Sequence, residues 1–309
     1  HEDESLIFPL VLYLSSARLW NENKTGGKTL GVYNRTDAYA RCLDGKRGTE
    51  VAFGYIQTLQ SVAAEEREGK AFPAYEAIQN AVNYALRDEL KTNESVIFST
   101  RYEKDIVALK TAERTVIPFT ALSDGYRNVI KIILDIATRM CILNPYLKGD
   151  ALKQTPGVVV IDELDLSLHP TWQKRIGILK ELFPRIQFIC ATHSPFVIQS
   201  LEDGELINLD VPKGAENDDY SGESIEDIAE DIMGVEMPQY SEKKIKMYEA
   251  AERYYQALRE SKSREELEGL RQKMVILEAE YSDNPAYLAL MKQKYAEREQ
   301  EVKKGASGQ

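Results

Sequence analysis

The chain has 309 residues, 43% of them hydrophobic and 29% charged, with a formal net charge of −11. That length suits one large α/β domain plus an appendage, and no apolar run approaches the ~18 residues of a membrane helix, which excludes a transporter's membrane subunit. Cys42, Cys141 and Cys190 form no Cys-x-x-Cys pair, which argues against a disulfide framework or a zinc site and for a reducing, cytoplasmic setting.

The acidity is local. Residues 201–239 hold 13 acidic residues against Lys213 alone, so the rest of the chain is close to neutral and basic patches stay possible elsewhere. The chain opens on His1 rather than Met and carries no charged-then-apolar leader, so its numbering is expected to begin inside a longer protein.

In chain order, the apolar run Leu6 to Leu14 predicts a strand, followed by a polar loop from Asn21 to Lys28. Residues 72–91 place Tyr75, Ile78, Val82, Ala85 and Leu86 at three-to-four spacing, the stripe of an amphipathic helix. Short strand-like pieces follow at 96–100 and 106–109. Leu122-Ser123-Asp124-Gly125 then precedes a helical pattern from Tyr126 to Leu143, which Asn144-Pro145 ends.

Residues 157–162 (GVVVID) form a continuous apolar run, as expected of a central parallel strand buried on both faces. A helix over Thr171–Leu182 and a second strand at 186–191 complete a βαβ unit, whose crossover is almost always right-handed. The fold class is therefore α/β. Residues 210–224 read as a loop, and Tyr240 to Lys304 as helical with a break at Ser282-Asp283-Asn284-Pro285. Leu267, Leu270, Met274, Leu277 and Tyr281 describe a helix-pairing seam, so a C-terminal helical hairpin is predicted. Its pairing within the chain is favoured over a partner socket, and Trp20 and Trp172 read as packing residues.

Three motifs carry chemistry. Val158 to Ile161 deliver Asp162 and Glu163 at the carboxyl end of a buried strand, where ligand sites of open α/β sheets lie. This is the Walker B arrangement, in which the aspartate holds Mg²⁺ and the glutamate orients or deprotonates the attacking water. Read alone, the pair favours this role over the plainer reading, a strand end with two solvated acids. Cys190-Ala191-Thr192-His193-Ser194-Pro195 brings His193 to the end of the neighbouring strand, within reach of the same edge; a lone histidine there would be a turn residue. Ser123 can cap the next helix, whose free N–H groups form an anion site, although such a tetrapeptide is ordinarily a plain N-cap.

In this order, LSDGYR, GVVVIDELDLSLHP and ATHSP resemble the signature motif, the Walker B motif with its D-loop, and the switch histidine of ABC-type ATPases (P-loop NTPases). LNPYL at 143–147, TPGVVVIDELDLSLHPTWQ at 155–173, FPRIQFICATHSPFVIQS at 183–200 and DIMGVEMP at 231–238 narrow this to soluble ATPases of the PtuA-like kind, found in Septu and retron anti-phage systems and akin to RecF, SMC and OLD nucleotide-binding domains. The resemblance covers residues 122–238 well. ARLW at 17–20 and Arg35-x-x-x-Tyr39-x-x-Cys42-Leu43-Asp44-Gly45 carry it more loosely, and 240–309 carry little. The domains implied are the distal part of the ATPase, 1–239, and a helical appendage, 240–309.

The resemblance implies ATP and Mg²⁺ as cofactors and a head-to-tail homodimer. Ser123, Asp124 and Gly125 would contact the nucleotide held by the partner, with Asp162 as metal ligand and Glu163 as catalytic base. Asp165 is the D-loop residue crossing the interface, and His193 the γ-phosphate sensor. Asp124 stands where the commoner signature has its second glycine, and Tyr126 where it has glutamine. The Walker A loop is the missing part. Gly27-Lys28-Thr29 would need glycine at position 22, where Glu22 stands, so it reads as a loop tip; either the Walker A loop lies upstream of this chain, as the resemblance implies, or the chain does not hold ATP alone.

The function implied is a dimeric ATPase sensor in defence, gating a separate HNH-type nuclease subunit, with nucleic acid reached through the complex and no membrane. The alternative is a RecF- or SMC-like repair ATPase gripping DNA directly, which predicts long arms or a basic cradle. Residues 241–304 hold 14 basic and 13 acidic residues, a weak electrostatic footprint for DNA. A fused metal-dependent nuclease would need strand-borne carboxylates after His193, where residues 240–304 read as helical instead, and a transporter motor is the least favoured reading because no trace of coupling to a membrane partner stands in the chain.

Overall fold

The computed structural model describes residues 6–19, 33–44, 50–65, 73–88, 90, 94–98, 107–113, 115–209, 220, 222–260 and 264–279. Gly27-Lys28-Thr29, Trp20, Gly45, residues 210–219, Tyr281 and the predicted break at 282–285 lie outside them. The chain divides into two compact units, His1–Glu223 and Ser224–Gln309. No helix among the described residues is long and apolar enough to cross a membrane.

The first unit is α/β. Its parallel sheet joins β1 (Leu10–Leu14), β5 (Gly157–Ile161) and β6 (Ile186–Cys190) in the order β1-β5-β6. An antiparallel sheet joins β2 (Ser95–Phe98), β3 (Val107–Lys110) and β4 (Val116–Pro118); β4, only three residues long, was not foreseen. The helices are α1 (Glu50–Glu65), α2 (Pro73–Ala85), α3 (Asp124–Leu143), α4 (Ala151–Gln154), α5 (Pro170–Gln173), α6 (Ile178–Leu182) and α7 (Pro195–Ile198).

Helix α3 organises this unit. From Asn128 to Leu143 every residue is buried, including the polar positions Lys131, Asp135 and Arg139, whose four-residue spacing would ordinarily mark a solvated face. Arg139 Nε lies 2.9 Å from Asp135 Oδ1, with both side chains 1% exposed, and Arg139 also donates to the carbonyls of Ala38 and Ala40. A buried charge is tolerable only when paired and hydrogen-bonded.

The loosely matching stretch after Arg35 and the LNPYL phrase meet at the amino end of the sheet. The Arg35 guanidinium donates to the carbonyls of Leu143 (2.6 Å) and Leu6 (2.5 Å) and to Asn144 Oδ1 (3.1 Å), with the Phe8 ring 3.8 Å from its carbon. Asn144 in turn bonds the backbone N–H and C=O of Phe8 and the Thr155 hydroxyl. Tyr39 donates to Pro9 O at 2.5 Å. Gly157 sits where a Cβ would lie 2.2 Å from Leu10 O, so only glycine lets β1 approach β5 this closely. These motif residues hold the sheet rather than the site.

Two sequence expectations need correction. Strand β5 is central but not buried on both faces. Leu10, Leu12, Leu14, Val159 and Ile161 form the buried face, whereas Val158 and Val160 are half-buried beside Val11 (42% exposed) and Ile189 (52%). A continuous apolar run specifies two apolar faces; among the described residues only one is covered. The helix expected over Thr171–Leu182 divides into α5 and α6, because the N–H groups of Arg175, Ile178, Leu179 and Lys180 bond three residues back rather than four. The tighter 3-10 winding across Gly177 continues the apolar stripe without a continuous α-helix.

The second unit contains α8 (Ile225–Asp227), a single turn of wider π winding over Ile228–Ile232, α9 (Glu242–Arg259) and α10 (Arg264–Ala279). Helices α9 and α10 pack through Ala251, Tyr254 and Tyr255 against Met274, Leu267 and Leu270. The seam expectation thus holds for its first three members, and helix α9 ends at Arg259, ahead of the predicted break.

Candidate functional site at the carboxyl edge of the parallel sheet

The register Leu14↔Ile161↔Cys190 ends the three parallel strands side by side. The chain then leaves each strand at one edge. Asp162 N donates to Leu14 O at 2.8 Å, Ala191 N to Ile161 O at 2.9 Å, and Leu164 N back to Ala191 O at 2.9 Å. These bonds bring Asp162 and Glu163 beside the segment Ala191-Thr192-His193. Both acids are half-buried, and His193 is exposed.

Glu163 has φ +51° and Ser167 φ +59°, the left-handed region that costs a non-glycine residue about 1–2 kcal/mol. Between them the chain makes a tight double turn, in which Leu166 N donates to Glu163 O (3.1 Å) and Leu168 N to Asp165 O (3.0 Å). Strain held at a strand end that presents two carboxylates is characteristic of functional sites. No signal in the sequence marked these backbone angles.

Asp165 is half-buried, and its carboxylate accepts from the Thr192 hydroxyl, which itself accepts from Ser194 N at 3.1 Å. Ser194 caps α7, its hydroxyl accepting from the N–H groups of Phe196 and Val197 and donating to Gln173 Oε1 at 2.6 Å. Gln173 Nε2 completes a loop by donating to Leu168 O at 2.9 Å. Sequence reasoning missed Thr192, Ser194 and Gln173 as members of the site; their pairing depends on contacts across the fold.

The amino end of α3 packs on the same double turn. Ser123 occupies the N-cap position without a side-chain capping bond and is exposed, so the capping expected of its hydroxyl is not made. Asp124 pairs with Arg127 one turn on. Gly125 lies so close that a Cβ would stand 3.0 Å from Ser167 O, and Asn128, fully buried, donates through Nδ2 to Leu166 O at 2.8 Å. Trp172 is 7% exposed and packs edge-on to Tyr126 with centroids 6.4 Å apart, in keeping with a packing role. All seven residues singled out from the sequence therefore lie on the loops and helix end gathered at this edge.

The donor set suits a hard divalent cation and phosphate oxygens. Asp162 and Glu163 offer carboxylate oxygens of the kind Mg²⁺ prefers. No cluster of three or more His, Cys, Asp or Glu side chains forms among the described residues, and an ion held by one or two carboxylates plus substrate phosphates requires none.

Residues 46–199 match the family described as "AAA domain, putative AbiEii toxin, Type IV TA system". The chain is 34% identical over 129 residues to "Retron Vc95 probable ATPase" of Vibrio cholerae serotype O1 biovar El Tor, covering 41% of this chain and 24% of that protein. It is 35% identical over 128 residues to "Septu protein PtuA" of Bacillus thuringiensis, covering 38% of this chain and 32% of that protein. The chain thus spans about a quarter to a third of the length of these curated relatives. Among solved structures, the SMC head domain from Thermotoga maritima is similar at 19% identity and a TM-score of 0.30, over 47% of this chain and 45% of that one.

Proposed function

We propose that the chain is an ATPase of the kind that includes Septu PtuA and the retron ATPases, to which it is similar, and that it hydrolyses ATP as one half of a head-to-tail dimer. The observation that carries this reading is the adjacency of two strand ends, one bearing Asp162 and Glu163 and the other Thr192 and His193, on neighbouring parallel strands.

In this reading Asp162 is the ligand of Mg²⁺, which would neutralise charge on the phosphates when bound. Glu163 accepts the proton of the attacking water, and its turn after β5 presents the carboxylate beyond the strand. His193 is the hydrogen-bond partner of the γ-phosphate. Ser123, Asp124 and Gly125 face outward to nucleotide held by the partner, since the exposed helix start offers N–H groups and a positive dipole end to phosphate. Asp165 lies on the loop that would meet the partner.

At the biological level the proposed role is a defence sensor whose nucleotide state gates a separate nuclease subunit of the HNH type, in a cytoplasmic complex. The names of the Septu and retron relatives support this part. Co-purification of the full-length protein with its neighbouring gene product tests it; a stable complex lacking nuclease activity under every nucleotide condition argues against gating.

The central test is Glu163→Gln in the full-length protein. It should abolish ATP turnover while leaving ATP binding and an ATP-stabilised dimer intact. Turnover close to wild type would remove Glu163 from the role of base.

A further inference from the structure

The end of α3 and the loop 163–168 are joined by bonds that the proposed chemistry does not use. Asn128 is buried completely, and its amide spends one N–H on Leu166 O at 2.8 Å. One turn earlier, Gly125 meets Ser167 O at a separation that admits no further carbon without movement. On the other side of the loop, Gln173 holds Leu168 O at 2.9 Å, its amide orientation set by the Ser194 hydroxyl at its oxygen. Two amide side chains from separate helices therefore satisfy two carbonyls of one loop, and a buried carbonyl without a donor is costly.

These contacts join residues that would act in different places. Under the reading above, on which this inference rests, residues 123–125 contact nucleotide bound to the partner, whereas Glu163 acts on the chain's own nucleotide. We infer that Asn128 is a positioning residue, and that its bond to Leu166 makes the helix start and the Glu163–Leu168 loop move as one body, so that nucleotide engaged at one composite site reorganises the other. Coupling of this kind needs two sites and a shared element whose position both bias. The Asn128–Leu166 bond, backed by the Gly125–Ser167 contact, supplies the element.

The test uses full-length protein and ATP. Wild type should hydrolyse with a sigmoidal dependence on ATP concentration. Asn128→Leu, similar in volume but unable to donate, should still bind nucleotide yet give a hyperbolic dependence, because the coupling that steepens the curve is lost. A purely structural role would lower thermal stability without changing the shape of that curve. If Asn128→Leu does not fold, Gln173→Met at a half-buried position removes the second amide donor and should also weaken cooperativity.

Hydrogen exchange on wild type gives a readout free of substitutions. A non-hydrolysable ATP analogue should slow exchange in 123–128 and 164–168 together, with one concentration dependence. Sigmoidal kinetics retained in a folded Asn128→Leu, or independent responses of the two segments, would overturn the inference. Hyperbolic kinetics in wild type would overturn it too, leaving the assignment of Glu163 intact. Absence of turnover in wild type would instead remove the functional reading beneath it.

Discussion

The Thr192 hydroxyl donates to the Asp165 carboxylate across 27 residues of chain. The bond ties the loop after β5 to the loop after β6, next to the place where Leu164 N already bonds Ala191 O. Each loop thus fixes the other, and the two strand ends behave as one surface.

Thr192→Val should remove that bond at nearly constant volume and cost about 1.5–3 kcal/mol in urea unfolding, the range for a hydrogen bond to a charged group. Thr192→Ser keeps the hydroxyl and should lose much less. A Thr192→Val protein as stable as wild type would mean that the hydroxyl bond contributes nothing, and a Thr192→Ser loss as large as that of Thr192→Val would mean that methyl packing contributes as much as the bond.

Glu163→Gly should stabilise the fold while destroying hydrolysis. The left-handed φ of +51° is free for glycine, and the relief of about 1–2 kcal/mol is offset in part by about 0.5–1 kcal/mol from the freer unfolded chain. A net gain of roughly 0.5–1 kcal/mol follows from those two terms. A folded but less stable Glu163→Gly would show that the glutamate makes contacts worth more than its strain.

Alkaline pH should weaken the fold through Cys141. Burial pushes this thiol up from an ordinary 9.0 to about 12, so the native state keeps a proton that the unfolded chain releases. The stability is complete below 9.0 and is lost as pH rises from there toward about 12, at up to roughly 1.4 kcal/mol per pH unit. Burial raises Tyr55 as well, adding in the same direction. Unfolding curves across this window should be visibly flatter in pH for Cys141→Val; the same slope in both proteins would assign the alkaline loss to other groups. Native thiol labelling should reach exposed Cys190 and spare Cys141.

How far the sequence could be read differs from element to element. The strand at 157–161 and the one at 186–190 were legible because each holds four apolar residues shortly after a proline, Pro156 or Pro184, and the carboxylates and histidine follow soon after in the chain. Helix α3 was legible from its apolar repeat. Its buried Asp135–Arg139 pair was not, since the same spacing describes a surface ion pair; burial depends on what packs around the helix. The division between α5 and α6 was also hidden, because 3-10 and α winding share nearly the same apolar spacing over two turns.

The sequence by itself determined the α/β class and the parallel strand pair, because apolar runs and the residues that end them are local properties of the chain; it offered Asp162, Glu163, His193, Ser123 and Gly125 as candidates only. Only the tertiary structure decided that Thr192 holds Asp165, that Gln173 and Asn128 hold the carbonyls of Leu168 and Leu166, and that Glu163 sits in a left-handed conformation. Those relationships join residues 5 to 38 positions apart, and a hydrogen bond of that kind is set by the packing of elements against one another rather than by any pattern along them.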